Sequence, residues 1–142
     1  MPEPRHEEPV DPDIGPAHFA AVLAVSLGGG VGAGARYAVD RAAPEVWGTL
    51  AVNLLGCALI GLLVVLTTEV RRTHPLVRPL LGTGVLGGFT TFSAYSLDAH
   101  RLWTGGDPAA AVAYLAGTLL GCVAATAAVV ALTRRLAVGR RA

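Results

Sequence analysis

Residues 87–95 read Gly87-Gly88-Phe89-Thr90-Thr91-Phe92-Ser93-Ala94-Tyr95, in the middle of an otherwise apolar stretch, Pro79 to Leu97. Two adjacent glycines weaken a helix. The hydroxyls of Thr90, Thr91 and Ser93 add polar atoms where a bilayer core would be apolar. Non-helical backbone at membrane depth is tolerated only where protein buries it or where it lines a cavity. Interrupted helices of this kind point to ion or substrate sites. The expectation is a membrane helix broken within this stretch, with an ion site at the break.

Composition agrees with a membrane protein. Of 142 residues 53% are hydrophobic and 15% charged, with a mean hydropathy of +0.55. Charges divide the chain into four uncharged or nearly uncharged runs: Ala17 to Ala35, Val46 to Thr68, Pro79 to Leu97 and Pro108 to Thr133. Each is close to the ~20 residues that cross a bilayer. A soluble helical bundle would need wide polar faces, which these runs lack. The fold expected is therefore all-α and integral to the membrane, with four transmembrane helices over residues 17–135 and short loops between antiparallel neighbours. Residues 1–16, rich in Pro, Asp and Glu, cannot bury a core and are expected to be disordered. Residues 136–142 form a short basic tail. Three further apolar runs follow the first, which argues against a cleaved secretory signal.

All eleven basic residues are arginines. Eight (Arg5, Arg71, Arg72, Arg78, Arg134, Arg135, Arg140 and Arg141) fall on the side of the termini. Arg41 and Arg101 fall on the other side, with Arg36 at the membrane edge. The positive-inside rule places both termini in the cytoplasm and favours one fixed orientation in the cell membrane. Glycines crowd the spans, and Gly117-x-x-x-Gly121 is a small-xxx-small pattern, so tight helix packing and an oligomer are expected.

Few polar residues lie within the spans. Asn53 and Thr49 share one face of the second. The Asn53 amide either bonds between helices or offers an N–H to an anion path. Tyr114, Thr118 and Cys122, extended by Thr126, recur every four residues and align phenol, hydroxyl and thiol on one face of the fourth span. Phe89, Phe92 and Tyr95 recur every three residues around the break. They serve packing, or turn positive ring edges towards a small anion that must bind weakly enough to leave. Arg36 is a snorkelling anchor or a source of positive potential. Cys57 and Cys122 show neither metal-site spacing nor a disulfide framework and are expected to be small packing residues. No Asp or Glu lies inside a run, and Asp98 is expected at a membrane edge, which counts against proton coupling. Without a nucleotide loop or a nucleophile–base pattern, an enzyme is not expected.

Three segments resemble the CrcB/Fluc fluoride channel family. Gly29-Gly30-Val31-Gly32-Ala33-Gly34-Ala35-Arg36-Tyr37 is similar to its G-G-x-x-G-A-x-x-R-Y segment. Gly48-Thr49-Leu50-Ala51-Val52-Asn53-Leu54-Leu55-Gly56 is similar to G-T-L-x-V-N-x-x-G. Gly84 to Ser93 resembles G-x-x-G-G-x-T-T-F-S. The three occur in order within residues 18–135. The resemblance implies a dimer of antiparallel subunits and narrow fluoride pores that let cytoplasmic fluoride leave the cell, reducing its toxicity. It implies a structural sodium ion at the dimer interface, held by backbone carbonyls matching Gly87 and Thr90. It implies an anion path along Asn53, Phe92, Tyr95, Tyr114, Thr118 and Cys122, with Thr49 beside Asn53 and Arg36 near the entrance.

The chain departs from the family pattern at Tyr95, where Phe is commoner, and at Cys122, where a hydroxyl is usual. The arginine bias does not suit a subunit that inserts both ways. A homodimer or a heterodimer with a homologous subunit of inverted orientation is therefore expected. The rival functions are a small dimeric multidrug or cation exporter, which needs an intramembrane carboxylate, and a non-conducting partner subunit of a heterodimeric channel.

Overall fold

The computed structural model describes residues 15–43, 46–70 and 73–137. Most of the expected N-terminal tail (1–16) and of the basic tail (136–142) falls outside them. Among the described residues every regular element is helical. Helix α1 spans Pro16–Ala42, with proline in its first turn, where a missing N–H costs nothing. It passes the expected end at Ala35, and there Arg36 and Asp40, one turn apart, form an ion pair (3.2 Å). Helix α2 spans Val46–Val70. Its last turn, Leu66–Val70, is π-helical. There the Thr67 and Thr68 hydroxyls bond back to the carbonyls of Leu63 and Val64 (2.8 and 2.7 Å), competing with the regular backbone ladder.

The decisive stretch is built from two shorter helices. Helix α3 is π-helical over Arg78–Leu86 and continues as α-helix over Gly87–Phe89. Thr90 and Thr91 are extended, with ψ of 158° and 136°. Helix α4 then runs over Phe92–Thr104, past the expected end at Leu97. Gly106 supplies the left-handed turn (φ 92°). The Asp107 carboxylate accepts from Ala110 N–H (2.8 Å) at the start of α5, Pro108–Ala137. Helices α1, α2 and α5 are each long and apolar enough to cross a membrane.

Packing runs through backbone contact. Helix α1 lies against α3, and α2 against α5. A Cβ at Gly28 would collide with Leu80 O and Gly84, and one at Gly32 with Val85 O and the Phe89 N–H. Gly84 and Gly88 meet α1 from the other side, at Val25, Gly28 and Gly29. Gly61 gives the same close approach to the Thr126 backbone of α5. These contacts exploit dispersion between closely apposed helices, the main packing force where lipid removes the hydrophobic drive. Of the Gly117-x-x-x-Gly121 pair, Gly121 faces Leu54, whereas nothing within the chain lies within 4 Å of a Cβ at Gly117. Few large apolar side chains are buried within the chain. Phe19, Leu27, Val31, Trp47 and Leu120 are each more than 60% exposed, an outward surface suited to hydrocarbon or to a second subunit.

Replacing Gly32 by Ala is expected to destabilise the fold by about 1–3 kcal/mol, the cost of overpacking a filled contact. Gly117→Ala is expected to be neutral or to stabilise by up to about 1 kcal/mol through helix propensity. Thermal unfolding in detergent checks both.

Candidate functional site

The break is stitched by one side chain. Thr91 N–H donates to Asn53 Oδ1 (2.9 Å), and Asn53 Nδ2 donates to Thr91 O (3.0 Å). Asn53 is 7% exposed, so this two-point pair sits in a buried environment where each bond matters. The Thr91 hydroxyl caps α4 by accepting from Ala94 N–H (3.3 Å). In an uninterrupted helix the N–H of Thr91 would bond Gly87 O, and that of Ala94 would bond Thr90 O. Both donors are turned to side chains instead, so the carbonyls of Gly87 and Thr90 are among those that lose their regular helical partners at the break. Both residues border a groove of ≈ 470 Å³ that also includes Asn53, Cys57, Phe92, Tyr95, Thr118 and Cys122. Asn53 is thus an interhelical link, and one of its two Nδ2 hydrogens remains beyond that pair.

The row on α5 divides. Thr118 is 5% exposed, and its Oγ1 is buried without a hydrogen-bond partner. The Tyr114 Oη is also buried and lies beside Thr49. Thr118 borders both the groove and a second cavity of ≈ 310 Å³ shared with Tyr114, Trp47 and Leu50. Cys122 is half-buried in the groove. Thr126 leaves the row: its hydroxyl lies 3.1 Å from Cys57 O and 3.0 Å from Cys122 O, and is committed to backbone.

Phe92 is 78% exposed. Its ring centroid lies 5.6 Å from that of Tyr95, at 52° between planes, and Tyr95 lies 5.6 Å from Tyr114, at 40°. The tilted geometry suits edge-to-face attraction. Tyr95 Oη donates to Leu115 O (2.9 Å) on α5. The hydroxyl that distinguishes this residue from Phe is therefore tied to backbone and fixes the ring beside the groove. Phe89, the third aromatic of the series, lies on the other side of the break, next to Gly56.

A third cavity, ≈ 280 Å³, includes Arg36, Asp40, Thr49, Asp98 and Arg101. Arg36 does not snorkel: its side chain is 11% exposed, Nε bonds Asp40 (3.2 Å), and Nη1 is buried without a partner. Thr49 Oγ1 donates to Asp98 Oδ2 (2.7 Å), and Arg101 Nη1 donates to Asp98 Oδ1 (3.2 Å). Asp98, expected at a membrane edge, is 6% exposed. That burial is not legible from the end of the apolar run at Leu97. The signal was its three-residue spacing from Phe92 and Tyr95 along one face of α4. Thr49, expected beside the anion path, is engaged by this carboxylate.

The profile described as "CrcB-like protein, Camphor Resistance (CrcB)" matches residues 23–130. The chain is 50% identical over 109 residues to the "Fluoride-specific ion channel FluC 1" of Streptomyces coelicolor, covering 73% of this chain and 71% of that protein. It is 45% identical over 129 residues to the "Fluoride-specific ion channel FluC 2" of Nocardia farcinica, 87% of each. A protein of the same name from Thermobifida fusca is 45% identical over 123 residues, 83% of this chain and 91% of that protein.

Asn53→Ala removes both bonds to Thr91 and leaves buried backbone groups unpaired. A loss of about 1–3 kcal/mol per unpaired group is expected. Tyr95→Phe, which frees one carbonyl that also belongs to a helix, is expected to cost only about 1 kcal/mol. Unfolding midpoints of the two variants in detergent give the comparison.

Proposed function

The chain belongs to the CrcB family, and we propose that it is a passive, fluoride-selective ion channel that lets cytoplasmic fluoride leave the cell. It is a channel and not an enzyme. The observation that carries the reading is the buried, unbonded Thr118 Oγ1 beside the groove, with the Tyr114 phenol one turn away and the tilted aromatic rings of Tyr95 and Tyr114. Fluoride is small and strongly hydrated, so passage requires donors that replace water. An unpaired buried hydroxyl is costly unless something meets it. An anion passing along α5 would meet both, together with the remaining Asn53 N–H, the Cys122 thiol and the ring edges of Phe92 and Tyr95. Such contacts hold an anion without the trap of a full positive charge. Arg36, with Nη1 unpaired at the neighbouring cavity, raises local anion concentration. Asp98 is held between Arg101 and Thr49, which ties it into a local network rather than leaving it free to couple proton and substrate as an exporter requires.

In this reading α3 and α4 together make the third of four membrane crossings, and both termini are cytoplasmic at the plasma membrane. The functional unit is a dimer of antiparallel subunits. The exposure of Phe92 in the membrane interior supports a partner there. The arginine bias favours a homologous subunit of inverted orientation as that partner, with a homodimer as the alternative. The carbonyls of Gly87 and Thr90 are suited to a hard cation, because their regular donors are taken by Asn53 and Thr91. A structural sodium ion held there between two subunits would supply a fixed positive potential that does not titrate.

Fluoride efflux from liposomes, followed with a fluoride electrode and with chloride as control, tests the reading. Rapid fluoride release without chloride release is expected, from this chain alone or after co-reconstitution with a homologue of opposite charge bias. No selective release from folded protein in either case would overturn it. Thr118→Val, lacking a donor worth about 1.5–3 kcal/mol to a charged partner, is expected to slow release by about 10–100-fold with assembly intact.

A further inference from the structure

Cys57 on α2 and Cys122 on α5 both border the groove. Both are free thiols, both are half-buried, and both line the same cavity. The backbone holds them there: the single Thr126 hydroxyl reaches the carbonyls of both residues, at 3.1 and 3.0 Å. One turn further along α2, Gly61 packs on the Thr126 backbone and sets the close approach of the two helices.

We propose that Cys57 and Cys122 form a two-thiol clamp for a soft divalent d10 cation, with mercuric ion as its type. Thiolate sulfur selects soft metals over the hard cations that favour carbonyl oxygen. Among the described residues no cluster of three or more His, Cys, Asp or Glu exists to build a higher-coordinate site. A two-coordinate metal needs only the two sulfurs that this groove offers. The charge also matches: two thiolates and a divalent cation sum to zero, which avoids burying net charge in an apolar span. On binding from mercuric chloride, two S–H and two Hg–Cl bonds break, two S–Hg bonds form, and two protons and two chloride ions pass to water, with no change of oxidation state. The clamp rests on groove geometry and stands whether or not the groove conducts fluoride.

Mercuric chloride titrated into the reduced, detergent-purified full chain tests this directly. Uptake is followed by sulfur-to-mercury charge-transfer absorption, and free thiols are counted by denaturing alkylation and mass spectrometry. One equivalent is expected to remove both thiols, leaving a single chain carrying one mercury on a denaturing gel. Stepwise loss of one thiol per equivalent, mercury-linked chain pairs, or no uptake would overturn the clamp. Cys57→Ser and Cys122→Ser are each expected to weaken retention against a competing small thiol by more than about 100-fold, beyond the usual cost of losing an outer-shell partner. Retention equal to that of the unmodified chain in either variant would also overturn it.

Discussion

The two-point bond between the Asn53 carboxamide and the backbone of Thr91 is the constraint on which the rest of the site depends. A helix can be interrupted inside a bilayer only where the freed backbone is buried in protein or lines a cavity. Asn53 supplies a donor and an acceptor at one residue, and the Thr91 hydroxyl supplies the cap for the helix that follows. With those groups satisfied, the chain can hold Thr90 and Thr91 extended between two helices. The same diversion separates the carbonyls of Gly87 and Thr90 from their regular donors. Stabilising the break and creating its candidate cation ligands are thus one event.

The glycine contacts serve this arrangement from behind. Gly28 and Gly32 of α1 bring that helix against the backbone of α3, up to the residue before the break. On the other side, α2 carries Asn53 and packs closely on α5 through Gly61. Tyr95 then ties α4 to α5 through the Leu115 carbonyl. The groove is bordered by residues whose backbones are held by close contact and by hydrogen bonds. That preorganisation is what an anion pathway needs if its donors are to replace water without reorganising.

Much of this was legible in the sequence, for physical reasons. Glycine, threonine and aromatic residues at such density in an apolar run signal an irregular backbone. Uncharged run length marks the long helices. Asn53 stood out because an amide in hydrocarbon requires a partner, although the sequence could not say that its partner is Thr91 rather than a passing anion. Periodicity placed Tyr114, Thr118 and Cys122 on one face but also enrolled Thr126, whose hydroxyl bonds backbone instead. The burial of Asp98 was not legible, because a charge at the end of an uncharged run reads as solvent-exposed. Here Arg101 and Thr49 compensate the carboxylate, and the helix continues to Thr104. Tertiary compensation of that kind leaves no mark in a hydropathy pattern. Nor does the spacing of Gly117 and Gly121 reveal that only Gly121 meets another helix of the chain.

The central claim is that fluoride takes up hydrogen bonds from the unpaired groups along α5. Solid-state fluorine NMR of the chain in lipid bilayers with added fluoride measures this most directly. A protein-bound resonance distinct from free fluoride, with magnetisation transfer to the hydroxyl proton of Thr118, is the predicted result. A bound resonance with no transfer to Thr118, or only free fluoride at saturating concentration, would contradict it.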